Sequence, residues 1–256
     1  MPEIVSTDTN SKIDFRILIG IFAGVVLFQI YLGFLDLESD VENSIITLSL
    51  IGQSLTGIAS LIVARKHSGS KLAISFYSLA MAFFSLVIGE VIYNTYLFVL
   101  DIDPYPSVSD LFFFLLYPFS MVHLIINIRF YQIKITLKSI IGMIAISVII
   151  TSTYTYFAFD VFSEFNIDFY YGLIFVAGAA VITTLGVYAV IIVRNIPLVK
   201  SWILLVVGIL LGTVADVWYH YLELLDAYNT EHVVNLFWYA SYFVIIYSLY
   251  KHYKIM

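Results

Sequence analysis

Residues 71–100 read KLAISFYSLAMAFFSLVIGEVIYNTYLFVL. After Lys71 the only charged side chain in this stretch is Glu90. An α-helix needs about 20 apolar residues to cross about 30 Å of hydrocarbon at roughly 1.5 Å per residue. The run is therefore long enough for a membrane span. Its uniform apolarity, with no polar stripe at helical spacing, is what a helix surrounded by lipid and other helices requires.

Seven similar runs flank it, near 15–35, 43–64, 107–130, 138–159, 168–193, 199–225 and 231–250. Across the chain 61% of residues are apolar, 12% are charged and the mean hydropathy is +0.97. A soluble domain of this length needs far more polar surface. The pattern predicts an all-α, polytopic membrane bundle of eight transmembrane helices. The first run follows a polar leader, residues 1–14, and is followed by Asp36-Leu37-Glu38-Ser39-Asp40. That acidic segment is no small-residue cleavage site, so the run reads as a retained helix.

Charge placement orients the bundle. The twelve basic residues are Lys12, Arg16, Arg65, Lys66, Lys71, Arg129, Lys134, Lys138, Arg194, Lys200, Lys251 and Lys254. All fall at the N-terminus, between runs 2 and 3, 4 and 5, or 6 and 7, or in the C-terminal tail. The remaining connections are acidic and carry Asp36, Glu38, Asp40, Glu42, Asp101, Asp103, Asp160, Glu164, Asp226 and Glu231. By the positive-inside rule both termini are expected in the cytoplasm. The net charge of −6 gives no reason to expect nucleic acid as a partner; the lipid bilayer is the partner the composition implies. Without cysteine, disulfides, thiolate metal sites and cysteine nucleophiles are excluded.

Shifting the chain by about 125 residues lays Tyr96-Leu97 and Leu100-Asp101 on Tyr221-Leu222 and Leu225-Asp226. The same shift lays Asp110-Leu111-Phe112 on Asn235-Leu236-Phe237, and Tyr117 on Tyr242. Two four-helix repeats in parallel orientation are expected, 15–130 and 131–256. In transporters such repeats place a site at their interface near mid-membrane.

A carboxylate in hydrocarbon is costly, so intramembrane acids are candidates for function. Glu90 and Asp216 each lie about ten residues inside the acidic end of their runs and fall within one position of each other under the repeat. They are expected to share a cavity in the bundle interior. Asn94 follows Glu90 by one helical turn. Asp216, His220 and Glu223 have the spacing i, i+4, i+7 and form one polar stripe. His123 is the other intramembrane histidine and follows Tyr117-Pro118, where proline should kink the helix. The ligand-binding candidates are thus Glu90, Asn94, His123, Asp216, His220 and Glu223. No strong metal motif and no cofactor motif is present. Ser107 and Asp110 read as a helix cap. A retinal Schiff base has no interior lysine to form on, and there is no P-loop, Gly-x-Ser-x-Gly elbow or arginine series of a voltage sensor.

The run Tyr105-Pro106-Ser107-Val108-Ser109-Asp110, ending in Tyr117-Pro118, resembles the signature of multi-helix membrane sensor modules. These precede diguanylate cyclase and histidine kinase domains in bacteria and archaea. Ala215-Asp216, Trp218-Tyr219, Asn235 and Trp238-Tyr239 fit the same pattern. The resemblance implies a prokaryotic plasma-membrane sensor. No output domain follows Met256, so a stand-alone module signalling through a separate membrane or cytoplasmic partner is expected. A weaker resemblance, carried by Gly89-Glu90, His123 and Ala215-Asp216, is to the lysoplasmalogenase-type eight-helix family. It implies a hydrolase of ether lipid or lysolipid with Glu90 and Asp216 as acid and base. In this sequence Glu replaces that family's Asp, and Ala its Ser.

The favoured expectation is a non-enzymatic sensory or ligand-binding module taking a lipidic or small-molecule ligand. The alternatives are the intramembrane hydrolase and a structural subunit of a membrane complex.

Overall fold

A computed structural model describes residues 13–130, 136–193, 200–229 and 231–255. Among them it contains helices and no strand: α1 (Phe15–Leu32), α2 (Glu38–Lys66), α3 (Lys71–Phe98), α4 (Val108–Phe114), α5 (Leu116–Phe130), α6 (Leu137–Phe162), α7 (Ile167–Val193), α8 (Lys200–Leu224) and α9 (Asn235–Ile255). Lys12, Lys134 and Arg194 lie outside the described residues.

The expected run 107–130 is two helices. Pro118 has no amide hydrogen for the Phe114 carbonyl, and its ring crowds that carbonyl. The α-helical path breaks at Leu115, between α4 and α5. The start of α4 is a capping box: Ser107 Oγ accepts from the Ser109 amide at 3.2 Å, and the Ser107 amide donates to Asp110 Oδ2 at 2.6 Å.

Seven segments are long and apolar enough to cross a membrane, with α4 and α5 together making one of them. The chain is a multi-pass membrane protein. The eighth expected span corresponds to α9, which is long enough at 21 residues but too polar to join that set. Its position explains the polarity. α9 packs against α1, α2 and α8, and Tyr239, Ser241, Tyr242, Tyr247 and Ser248 are all buried. A helix wrapped in protein has no need of lipid-compatible side chains. α1 and α6 are the reverse case. Only 11% of each span is buried, against 61% for α3, and their outward faces carry large aliphatic side chains.

Six helices close a ring in which α2 packs on α3, α3 on α5, α5 on α7, α7 on α8, α8 on α9 and α9 back on α2. α6 lies outside the ring on α7. α1 lies outside it on α9, antiparallel to it: the Asp14 amide donates to Tyr247 Oη at 2.8 Å at one end, and Gln29 donates to the Glu231 carbonyl at the other. All described lysines and arginines gather at one end of the bundle, and nearly all carboxylates at the other.

The ring is solid towards its basic end. Phe76, Leu79, Leu124, Ile128, Trp202, Leu205, Ile245 and Leu249 pack there into one buried cluster. Towards the acidic end the same helices part around a cavity.

Candidate functional site

The cavity has a volume of about 690 Å³ and is lined by all six ring helices, with α4, α6 and the loops at Tyr105 and Tyr228 contributing near its mouth. That size lies within the usual range of small-molecule sites, about 300–1,000 Å³.

Glu90 from α3 and Asp216 from α8 both line it. Asp216 is held on both oxygens: Oδ1 accepts from Trp238 Nε1 at 2.8 Å, and Oδ2 accepts from Tyr117 Oη at 3.1 Å. Tyr117 is itself seated by Gly178. A methyl group at that glycine would stand 2.8 Å from the tyrosine ring, so only glycine lets α5 and α7 meet with the ring between them. Glu90 has the side chain of Gln53 beside it. Gln53 Nε2 also donates to Tyr242 Oη at 3.3 Å, and Tyr242 lies over Gly52, where a methyl group would come within 2.6 Å of its ring.

The two arrangements correspond. Tyr117 rests on a glycine of α7 and serves the acid of α8; Tyr242 rests on a glycine of α2 beside the acid of α3. The correspondence extends to the loops. Asp101 and Asp226, ending α3 and α8, both adopt left-handed backbone, with φ of 52° and 51°. Ser107 Oγ accepts from the amide two residues on, and His232 Nδ1 does the same for Val234 at 3.1 Å.

The stripe of α8 faces the cavity as a unit, since Asp216, His220 and Glu223 all line it. His220 is enclosed by rings, with Phe175 at 5.2 Å and Tyr171 at 6.0 Å between centroids. Glu223 has the Tyr219 side chain, one helical turn back, beside it. Asn94 also lines the cavity, but its amide nitrogen is committed to the Glu90 carbonyl at 2.8 Å.

His123 stands apart. It is fully buried between α3 and α5, bonded through Nδ1 to Ser75 Oγ at 2.8 Å and set edge-on to Phe76. Asn127 completes that network with a 2.5 Å bond to Ser75 Oγ. These bonds tie α3 to α5 below the cavity floor, and His123 is not among the lining residues.

At the mouth, the cap residue Asp110 has a second task, accepting from Tyr171 Oη at 3.0 Å. Tyr105 Oη donates to Asp168 at 2.7 Å. Burial and the adjacent Asp168 carboxylate push the Tyr105 hydroxyl well above the ordinary tyrosine range, so it stays a donor. Burial likewise pushes Tyr228, which donates to Asn235 Oδ1, up to about 12.

Sequence reasoning missed Gln53, Tyr117, Trp238 and Tyr242. Gln53 had a signal, being an amide in the middle of an apolar run. The repeat paired Tyr117 with Tyr242, and the sensor-module resemblance included Tyr117 and Trp238, but neither assigned these aromatic residues to the carboxyl groups. Among the described residues, no group of three His, Cys, Asp or Glu is arranged to hold a metal ion.

Comparison with protein-family models, with curated proteins and with solved structures returns no match.

Proposed function

We propose that this chain is a sensory or ligand-binding membrane module whose ligand enters the ring cavity from the acidic end. The observation that carries this reading is a single one: a cavity of small-molecule size opens between helices that are otherwise tightly packed, and both intramembrane carboxyl groups line it. A bundle built only as a scaffold gains nothing from parting its helices around two acids, since burying carboxylates is costly. The likeness of the Tyr105–Pro118 segment to sensor modules points the same way. The hydrolase alternative finds less support. Both oxygens of Asp216 are occupied by neutral donors, and His123, the third residue of that pattern, lies in a separate network.

Within this reading the bundle crosses the membrane eight times, with α9 as the enclosed eighth span and the basic end in the cytoplasm. The paired packing of Tyr117 on Gly178 and Tyr242 on Gly52 supports descent from a duplicated four-helix unit. The outer helices do not follow the correspondence, since α1 packs on α9 and α6 on α7.

The test is a thermal-shift screen of the purified protein in lipid nanodiscs against a small-molecule library. Compounds that stabilise the wild type should lose their effect in Glu90→Gln. A library without hits, or hits indifferent to Glu90→Gln and Tyr117→Phe alike, would overturn the reading. Orientation is checked separately. The chain has no native cysteine, so single cysteines at Asp40 and Asp103 should react with an impermeant thiol reagent in intact cells, and one at Ser68 should not.

A further inference from the structure

At the basic end of the bundle, away from the cavity, two histidines meet. His67 follows the last turn of α2 and His252 lies in the last turns of α9, and their Nε2 atoms are 3.1 Å apart. His252 is buried and His67 half-buried. Their ring centroids are 5.3 Å apart, which is the nitrogen separation plus the two ring radii. The nitrogens therefore point at each other and not at a common third point. A metal ion in line between them, at about 2.0–2.1 Å from each, would hold them about 4 Å apart. The contact is instead a hydrogen bond in which one imidazole donates Nε2–H and the other accepts. It lasts only while one of the two facing nitrogens lacks a hydrogen. With both rings charged, two N–H groups would confront each other.

The surroundings oppose that charge. Phe76 of α3 lies against both rings, stacked on His67 at 5.7 Å and tilted to His252 at 4.9 Å between centroids. The ionisable groups that act on His252 are His67 and Lys66 from the end of α2 and His123 from α5, none of them an acid. Lys66 is fixed there, since it donates to the Tyr253 carbonyl and lies over the Tyr253 ring at 4.2 Å. No Asp or Glu occurs in residues 61–75 or 245–256, which carry Arg65, Lys71, Lys251 and Lys254 besides. α8 meets α9 at this end through the uncharged Ser201 and Ser248. Asp14, the acid next to α1, stands by Tyr247, which packs in a separate cluster with Leu18 and Leu204. Burial and the Lys66 ammonium hold the His67 imidazole below the ordinary histidine range.

We propose that the imidazole pair is a proton-sensitive latch, which fastens the end of α9 to the α2–α3 connection and releases it on acidification. Closed, the pair is neutral. Open, each ring is hydrated and titrates near the ordinary value of about 6.5. Opening thus takes up protons below that pH and none well above it. Closure is firm in neutral and alkaline solution and weakens as the pH falls through that value. The helix released is the one that carries Trp238 to Asp216, so latch and cavity share α9. On the orientation proposed above, the proton sensed is the cytoplasm's.

The experiment is hydrogen-exchange mass spectrometry of the full chain in phosphatidylcholine nanodiscs, corrected for the pH dependence of intrinsic exchange. It reads the opening constant of the segment 245–255. Between pH 7.5 and 5.5 each hydrated imidazole contributes about tenfold, so the wild-type constant should rise by more than about tenfold and up to about a hundredfold. His67→Gln keeps an N–H donor for His252 and leaves one titrating ring, so its rise should shrink to about tenfold or less. In His67→Gln/His252→Gln the rise should vanish. If the double variant does not fold, the single one, at a half-buried helix end, carries the test. A wild-type rise below about tenfold would overturn the latch. So would a rise as large in either variant as in the wild type, or an equal rise in the segment 137–162 of α6, which the pair does not touch.

Discussion

The two carboxyl groups of the cavity give the same signal in sequence and have different surroundings in the structure. Asp216 is clamped by an indole and a phenol, one on each oxygen. Glu90 has the Gln53 amide, and the neighbouring Asn94 amide is turned to the backbone. A lone acid in an apolar run announces that something must satisfy it, but not what. Where two neutral donors from neighbouring helices do so, the acid works as a fastener that joins α8 to α5 and α9. Where the donors run short, it keeps acceptor capacity to spare, which on the proposed reading meets the ligand. The difference in donors separates Asp216 from Glu90.

The largest expected effect tests the fastener. Asp216→Ala strands the Trp238 N–H and the Tyr117 O–H in a largely buried setting. Leaving a buried donor unsatisfied costs about 1–3 kcal/mol, so the variant should lose roughly 2–6 kcal/mol. Glu90→Ala removes one neighbour of a Gln53 amide that still donates to Tyr242 Oη, and it should lose clearly less. Reversible unfolding in bicelles, compared across the two variants, measures the gap. Restoring part of the loss by adding Tyr117→Phe to Asp216→Ala would attribute it to the stranded hydroxyl. Equal losses at Asp216 and Glu90 would erase the distinction between them.

A smaller effect tests whether the two half-sites are built alike. Gly178→Ala drives a methyl group into the Tyr117 ring, and Gly52→Ala drives one into Tyr242. Overpacking of this kind costs about 1–3 kcal/mol. The two variants should fall in the same range, because each glycine seats a tyrosine between a pair of ring helices. Gly24→Ala is the control. Nothing lies within 4 Å of the added atom, and the gain in helix propensity, up to about 1 kcal/mol, should show. If only one of Gly52 and Gly178 is sensitive, the correspondence of the half-sites fails.

The membrane spans and their common charge polarity could be read from the chain because hydrocarbon imposes one rule on every lipid-facing residue. The Ser107–Asp110 cap was legible for a local reason, its three-residue spacing. Glu90 and Asp216 were legible because charge in an apolar run stands out. α9 was harder to place, since it is enclosed by protein and hydropathy measures fitness for lipid. The repeat and the Tyr-Pro signature set Tyr117 apart from Tyr156, which is exposed on the outer face of α6, but nothing in sequence showed that Tyr117 holds Asp216. His123 shares the buried, intramembrane character of the site residues, yet its partner Ser75 lies on α3 below the cavity. Depth along a helix can be counted from sequence, whereas the direction a side chain faces depends on neighbours brought together only by folding.

The smallest expected effect on stability is the sharpest test of the comparison. Glu90→Gln keeps the shape of the side chain and an oxygen that can accept from Gln53, and it removes a charge that no base offsets. Removing an unpaired buried charge is often neutral or stabilising, so the change should lie within about 0.5 kcal/mol of the wild type or above it. Asp216→Asn cannot be as mild. An amide has one acceptor oxygen, and its NH2 group must confront either the Trp238 N–H or the Tyr117 O–H. The tyrosine can rotate its hydroxyl and accept; the indole cannot. The cost therefore falls on forcing the oxygen towards Trp238, and on the weaker bonds of a neutral acceptor, and should amount to about 1 kcal/mol or more. Unfolding measurements on this isosteric pair then isolate the donor count from size and packing. A Glu90→Gln variant as unstable as Asp216→Asn would mean that Glu90 is a fastener too, and that the cavity has no carboxylate to spare for a ligand.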